Sequence, residues 1–171
     1  MIHYFAYGSN LHPVRLNKRV PSAELVGVAT HHGHRLSFHK RSKDGSGKCN
    51  LFATDRQSDR VHGAIYRLDE GDKARLDRFE GRGCGYLDRQ ILLLHDEREY
   101  RCFAYFAQSS HIADGLRPYH WYKALVVSGA RYLGFPEAYV ASIEAIGSMQ
   151  DPDHVRRREH ERIIEEILDY R

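Results

Sequence analysis

The chain has 171 residues, 42% of them hydrophobic, which suits one domain spanning 1–171 with a real core. The net charge of +3 comes from basic residues spread along the chain; nucleic-acid binding calls for a clustered patch, so no nucleic-acid partner is expected. No apolar stretch is long enough to cross a membrane, and Met1–Phe5 lacks a basic n-region and a cleavage site, so no membrane partner is expected and the expected location is cytoplasmic.

In chain order, Tyr4–Tyr7 is a short strand candidate ended by Gly8-Ser9-Asn10. Leu11–Val20 is helical, starting late at Pro13. Glu24–Ala29 and His34–His39 alternate weakly as strands, and Asp44–Gly47 is a turn. Cys49–Thr54 and Val61–Leu68 are strands that the loop Asp55–Asp59 would join as a hairpin. Asp69 can N-cap a helix running to Glu80 and stopped by Gly81. Tyr86–His95 and Tyr100–Gln108 form another strand pair after the Gly-rich Arg82–Gly85 loop. The last third is helical: a segment from Pro118 to Leu133, one opened by Pro136, and a charged amphipathic extension over 153–171. Strands first and helices last predict an α+β fold.

Two segments carry chemistry. In Phe5-Ala6-Tyr7-Gly8-Ser9-Asn10-Leu11 a strand turns tightly into a helix. The amides of such a turn favour a carboxylate or a developing oxyanion, although a corner with an N-capping Ser or Asn is also a common structural feature. In Leu76-Asp77-Arg78-Phe79-Glu80-Gly81, positions 76, 79 and 80 share a helix face, so Glu80 should point inward with Leu76 and Phe79. A carboxylate there is unusual unless it is paired, for instance with Arg89, or lines a cavity. The helix C-terminus and partial burial both disfavour its charge, which suits a general base.

Together these segments resemble the γ-glutamylcyclotransferase family. The resemblance runs from Tyr4 to about Ile146 and includes Gly63–Leu68, Tyr86, Tyr122-Lys123, Gly129-Ala130 and Gly134-Phe135-Pro136. It implies a small mixed β-barrel flanked by helices with the site at one mouth. It also implies intramolecular attack of the α-amine of a γ-glutamyl compound on its own γ-carbonyl, releasing 5-oxoproline without a cofactor or a metal. In that scheme Glu80 is the catalytic base. Tyr7, Gly8, Ser9, Asn10 and Leu11 form the substrate loop, and Tyr86, Tyr122 and Tyr105 lend hydroxyls. Relatives specific for glutathione usually follow Tyr-Gly-Ser with Leu-Ile-Trp, and those acting on γ-glutamyl amines usually carry Tyr-Gly-Thr-Leu. Asn10-Leu11 looks like the branch acting on γ-glutamyl amino acids. The alternative is a binding or regulatory protein on the same scaffold.

Other residues carry less. Cys49, Cys84 and Cys102 cannot all pair and lack metal spacing, so they are expected as free thiols; Cys84, in a loop after Glu80, could be redox-sensitive. On a strand, His32 and His34 would share a face, but no carboxylate or cysteine sits nearby at ligand spacing. Arg156-Arg157-Arg158, His154 and His160 read as a solvated helix face. Ile163, Ile164, Ile167 and Leu168 would pack in cis or against a second copy, leaving a homodimer open.

Overall fold

The computed structural model describes residues 1–170. Seven strands run β1 Ile2–Ala6, β2 Glu24–His32, β3 His34–Arg41, β4 Gly47–Ala53, β5 Arg60–Leu68, β6 Tyr86–His95 and β7 Arg98–Ala107. Five α-helices run α1 Pro13–Arg19, α2 Glu70–Glu80, α3 His120–Tyr132, α4 Glu137–Glu144 and α5 His154–Asp169. The main sheet has the order β2-β5-β1-β7-β6, and β3-β4 form a separate pair. β1 pairs antiparallel with β5 and parallel with β7, so the sheet is mixed. The edges β2 and β6 approach where His95 Nδ1 donates to Val28 O across 2.9 Å. The sheet is thus curled into a half-barrel in an α+β fold.

Consecutive residues Tyr4, Phe5 and Ala6 of β1 are all buried, because this central strand is covered on both faces. Phe5, Ile65, Tyr66, Leu68, Leu76, Phe103, Tyr105 and Leu125 fill the space between the sheet and the helices. The core therefore fixes the end of β1, and whatever follows β1 starts from a rigid base.

Several local expectations are corrected. β4 pairs with β3, whereas β5 pairs with β1 and β2, so Asp55–Asp59 joins two sheets and is not a hairpin loop. Asp69 sits at the N-cap of α2 but makes no side-chain cap bond; its own N–H goes to Ser22 Oγ. The cap of α1 is neither Ser nor Asn but the buried His12, whose Nδ1 accepts from Val14 N. Gly33, at φ +68, breaks the strand, so His31 and His34 meet with ring centres 4.4 Å apart.

The charged last helix is also less solvated than its composition suggests. Arg156 clamps buried Asp151, which also accepts from Trp121 Nε1. Burial pushes the Asp151 carboxyl up, but the Arg156 and Trp121 hydrogen bonds outweigh it and hold it at about 2. His160 stacks on Trp121 at 3.7 Å, and its Nδ1 accepts from Arg15 Nη1 at 3.3 Å. His154 is exposed. Ile167 is buried and Ile163 and Ile164 are partly buried in cis, while Leu168 is 74% exposed.

Burial, reinforced by Arg15 and Arg19, pushes the His160 imidazole down to about 3. A histidine depressed on folding stabilises the fold above its unfolded value of 6.5 and loses that contribution as pH falls toward about 3. Gln at 160 can still accept from Arg15 but does not titrate. His160→Gln should therefore flatten the fall of Tm between about pH 7 and pH 5. His12 and His31, both pushed down to about 4 by burial, leave a residual slope. Thermal melts across that range decide it: parallel Tm-versus-pH curves for the two proteins would rule the assignment out.

Candidate active site

β1 ends at Ala6, and the chain makes a turn in which Leu11 N donates to Gly8 O at 3.1 Å. The far side of the turn is anchored. Tyr66 Oη donates to Leu11 O at 2.7 Å, and Leu11 lies against Gly129 of α3. With this end fixed, the amides of Gly8, Ser9 and Asn10 have no protein acceptor among the described residues. Gly8 presses close to β4, where a Cβ would meet Cys49 Cβ at 3.0 Å.

Glu80 closes α2. Gly81, at φ +67, ends the helix in the left-handed region, and Arg82 N bonds back to Asp77 O at 2.9 Å. Leu76 is buried and Glu80 half-buried, but Phe79 is 52% exposed, so it does not share the inward face. The partner of Glu80 is not Arg89, which stacks on Phe106. It is Arg19, at the end of α1: Arg19 Nη1 and Asn10 Nδ2 both donate to Glu80 Oε1 at 2.9 Å.

A recess opens between these elements, lined by Tyr4, Tyr7, Gly8, Ser9, Asn10, Cys49, Glu80, Tyr86, Tyr105 and Tyr122. Of the residues expected from sequence, only Leu11 is missing: its side chain is core and its amide is spent in the turn. Tyr4, Cys49 and Arg19 had not been expected. Tyr4 and Cys49 carried no motif signal, and Arg19 lies 61 residues from Glu80 in sequence.

Following each phenol proton sorts the tyrosines. Tyr7 donates to Tyr105 O, Tyr86 to Cys49 O at 2.5 Å, and Tyr105 to Asp77 Oδ1 at 2.6 Å. Their protons are committed. Tyr122 Oη instead accepts from Cys49 N at 3.1 Å, and Tyr4 Oη accepts from Asn10 Nδ2 at 3.2 Å. Among the described residues neither hydroxyl proton has an oxygen or nitrogen acceptor; Tyr122 has only the weak acceptor Cys49 Sγ as a side-chain partner, so both hydroxyls can turn a donor to a ligand. Burial pushes the Tyr122 phenol well above its usual value, keeping it protonated. Two ammonium groups back these rings: Lys40 lies 4.4 Å from the Tyr86 ring centre and Lys48 4.6 Å from that of Tyr122. Burial pushes both lysines down. Lys48 is balanced by Asp44 at 2.9 Å, so it is the charge of Lys40 that favours an anionic ligand in the recess.

The model of the family described as gamma-glutamyl cyclotransferase, AIG2-like, matches residues 4–124. The chain belongs to this family. It is similar to a mouse gamma-glutamylcyclotransferase, 33% identical over 148 residues, covering 84% of this chain and 77% of the mouse protein. A human gamma-glutamylcyclotransferase is 31% identical over the same shares. A solved structure of a gamma-glutamyl cyclotransferase superposes with a TM-score of 0.83 at 27% identity, over 96% of this chain and 98% of that one. The chain is an enzyme of this family's type. Within the cyclotransferase fold, the recess lies where the loop after β1 meets the end of α2.

The loop's position rests on Gly129, where a Cβ would meet Leu11 Cβ at 2.5 Å and His12 N at 3.1 Å. Gly129→Ala should therefore cost about 1–3 kcal/mol of stability through overpacking. It should also lower kcat/KM, because the displaced turn carries the Gly8–Asn10 amides. Unchanged Tm and unchanged turnover would show that the loop is not anchored there.

Proposed function

We propose that the enzyme releases 5-oxoproline from γ-glutamyl amino acids, with Glu80 as the general base. The observation that carries this reading is the pairing of a carboxylate oxygen, Glu80 Oε2, with the amides of Gly8, Ser9 and Asn10 around one recess, none of them with a hydrogen-bond partner among the described residues.

Cyclisation of a γ-glutamyl compound asks for three things: a folded substrate, an acceptor for the α-ammonium proton, and donors for the oxyanion on the γ-carbon. Ionised Glu80 attracts the ammonium and takes its proton. The freed amine attacks the γ-carbonyl and closes the five-membered lactam. That proton then passes from Glu80 to the departing nitrogen, and the surplus proton on the ring nitrogen follows by the same route, so the lactam is neutral, the amine departs as an ammonium and the carboxylate is regenerated. The loop amides and the Tyr122 hydroxyl are the donors available for the substrate's anionic oxygens. The named cyclotransferase relatives and the Asn10-Leu11 loop support a γ-glutamyl amino acid as substrate.

Glu80→Gln keeps the shape and removes the base. It should abolish measurable 5-oxoproline release from γ-glutamyl-alanine, and a near wild-type rate in this variant would refute the mechanism. The phenols should separate by proton. Tyr122→Phe should lower kcat by about 10²-fold, the scale of one lost oxyanion donor. Tyr105→Phe, whose proton already belongs to Asp77, should change kcat by less than about fivefold. Equal losses in both variants would overturn the assignment of donors.

A further inference from the structure

Glu80 Oε1 receives two donors at once, Arg19 Nη1 and Asn10 Nδ2, and among the described residues no donor reaches Oε2. Arg19 Nη1 also lies 3.1 Å from Asn10 Oδ1. This third contact sets the Asn10 amide. A guanidinium can only donate, so it must meet the carbonyl end, which turns the amide nitrogen toward Glu80 and Tyr4. Arg19 is itself supported from outside: its guanidinium carbon sits 5.3 Å from the centre of the Phe79 ring. Phe79 is 52% exposed, so it contributes little to the core. A platform for a planar cation accounts for an aromatic residue at that position.

We infer that Arg19 is a positioning residue for the cyclisation: it occupies Glu80 Oε1 and orients Asn10 so that proton transfer runs through Oε2 alone, and Phe79 holds it in place. The inference rests on the reading of Glu80 as the base. Its chemistry follows from lone pairs. A proton on Oε1 would face two N–H groups that cannot accept it, so the protonated state carries its proton on Oε2. When the substrate's α-ammonium reacts, an O–H bond forms at Oε2 and an N–H bond breaks, its electron pair staying on the nitrogen that attacks the γ-carbon. When the γ C–N bond breaks, the Oε2–H proton passes to the leaving nitrogen, and the second surplus proton of the ring nitrogen follows by the same route through Oε2, so the lactam is neutral and the amine departs as an ammonium. No proton is gained or lost overall, and Arg19 keeps its contacts throughout. A purely structural ion pair would only tie α1 to α2 and leave turnover per folded molecule alone.

The test is steady-state kinetics on γ-glutamyl-alanine with Tm measured in parallel, for the wild type, Arg19→Met, Arg19→Lys and Phe79→Ala. Arg19→Met should lower kcat at least about tenfold without raising KM, because the substrate ammonium loses no partner while the base loses its alignment. Arg19→Lys should recover part of that loss. Phe79→Ala should lower kcat about threefold or more with Tm within about 2 °C of wild type, since the ring is exposed. A lowered Tm with unchanged kcat in Arg19→Met, or a raised KM with unchanged kcat, overturns the inference. If Arg19→Met does not fold, Phe79→Ala decides alone, and unchanged kcat there overturns it. Wild-type turnover with unaffected variants sinks only the role of Arg19. Absence of wild-type turnover on γ-glutamyl-alanine, glutathione and γ-glutamyl-lysine sinks the cyclotransferase reading and this inference with it.

Discussion

Asn10 Nδ2 donates to Glu80 Oε1 across 2.9 Å, and this bond ties the loop after β1 to the last turn of α2. The rest of the site depends on it. One partner brings the free amides of the Gly8–Asn10 turn; the other brings the carboxylate. Arg19 closes the arrangement by touching both, so the loop after β1, the end of α1 and the distant end of α2 meet at one oxygen. Each donor to an ionised carboxylate is a strong, directional contact, and in a half-buried position neither side can lose its partner cheaply.

That arrangement needs rigid supports, and the half-barrel supplies them. β1 is the central strand, locked between an antiparallel and a parallel neighbour. Its end cannot drift, and the turn beyond it is pinned by the Tyr66 hydroxyl and by the space that Gly129 leaves open. On the α2 side, Leu76 is fully buried and anchors the last turns of the helix while Phe79 stays outside. The core holds the site without covering it.

The polar interior is also organised by its protons. Tyr7, Tyr86 and Tyr105 spend theirs on protein acceptors, which fixes their rings as walls of the recess. Tyr122 and Tyr4 accept from the protein and keep a donor. This division satisfies most of a crowded set of buried hydroxyls while leaving a few donors for a ligand. Lys40, placed behind the Tyr86 ring, adds positive charge beside the recess, while the charge of Lys48 behind Tyr122 is balanced by Asp44.

The order of elements, the α+β class, the turn at Gly8–Asn10 and the placing of Glu80 at a helix end were determined by sequence alone, because turn residues and helix stops are local signals. Tertiary structure decided the rest. Whether β5 pairs with β4 or with β1 is a contest between long-range ladders that local pattern cannot settle. The partner of Glu80 proved to be Arg19 rather than Arg89 for the same reason, as sequence does not say which guanidinium the folded chain delivers. Phe79 left the core face because α2 meets the barrel along a stripe narrower than its apolar pattern suggests. His160 turned inward because a stacking partner, Trp121, was waiting on α3. Hydrogen-bond direction separated Tyr122 from Tyr105, and only packed coordinates reveal it, since in sequence one tyrosine hydroxyl is the same as another.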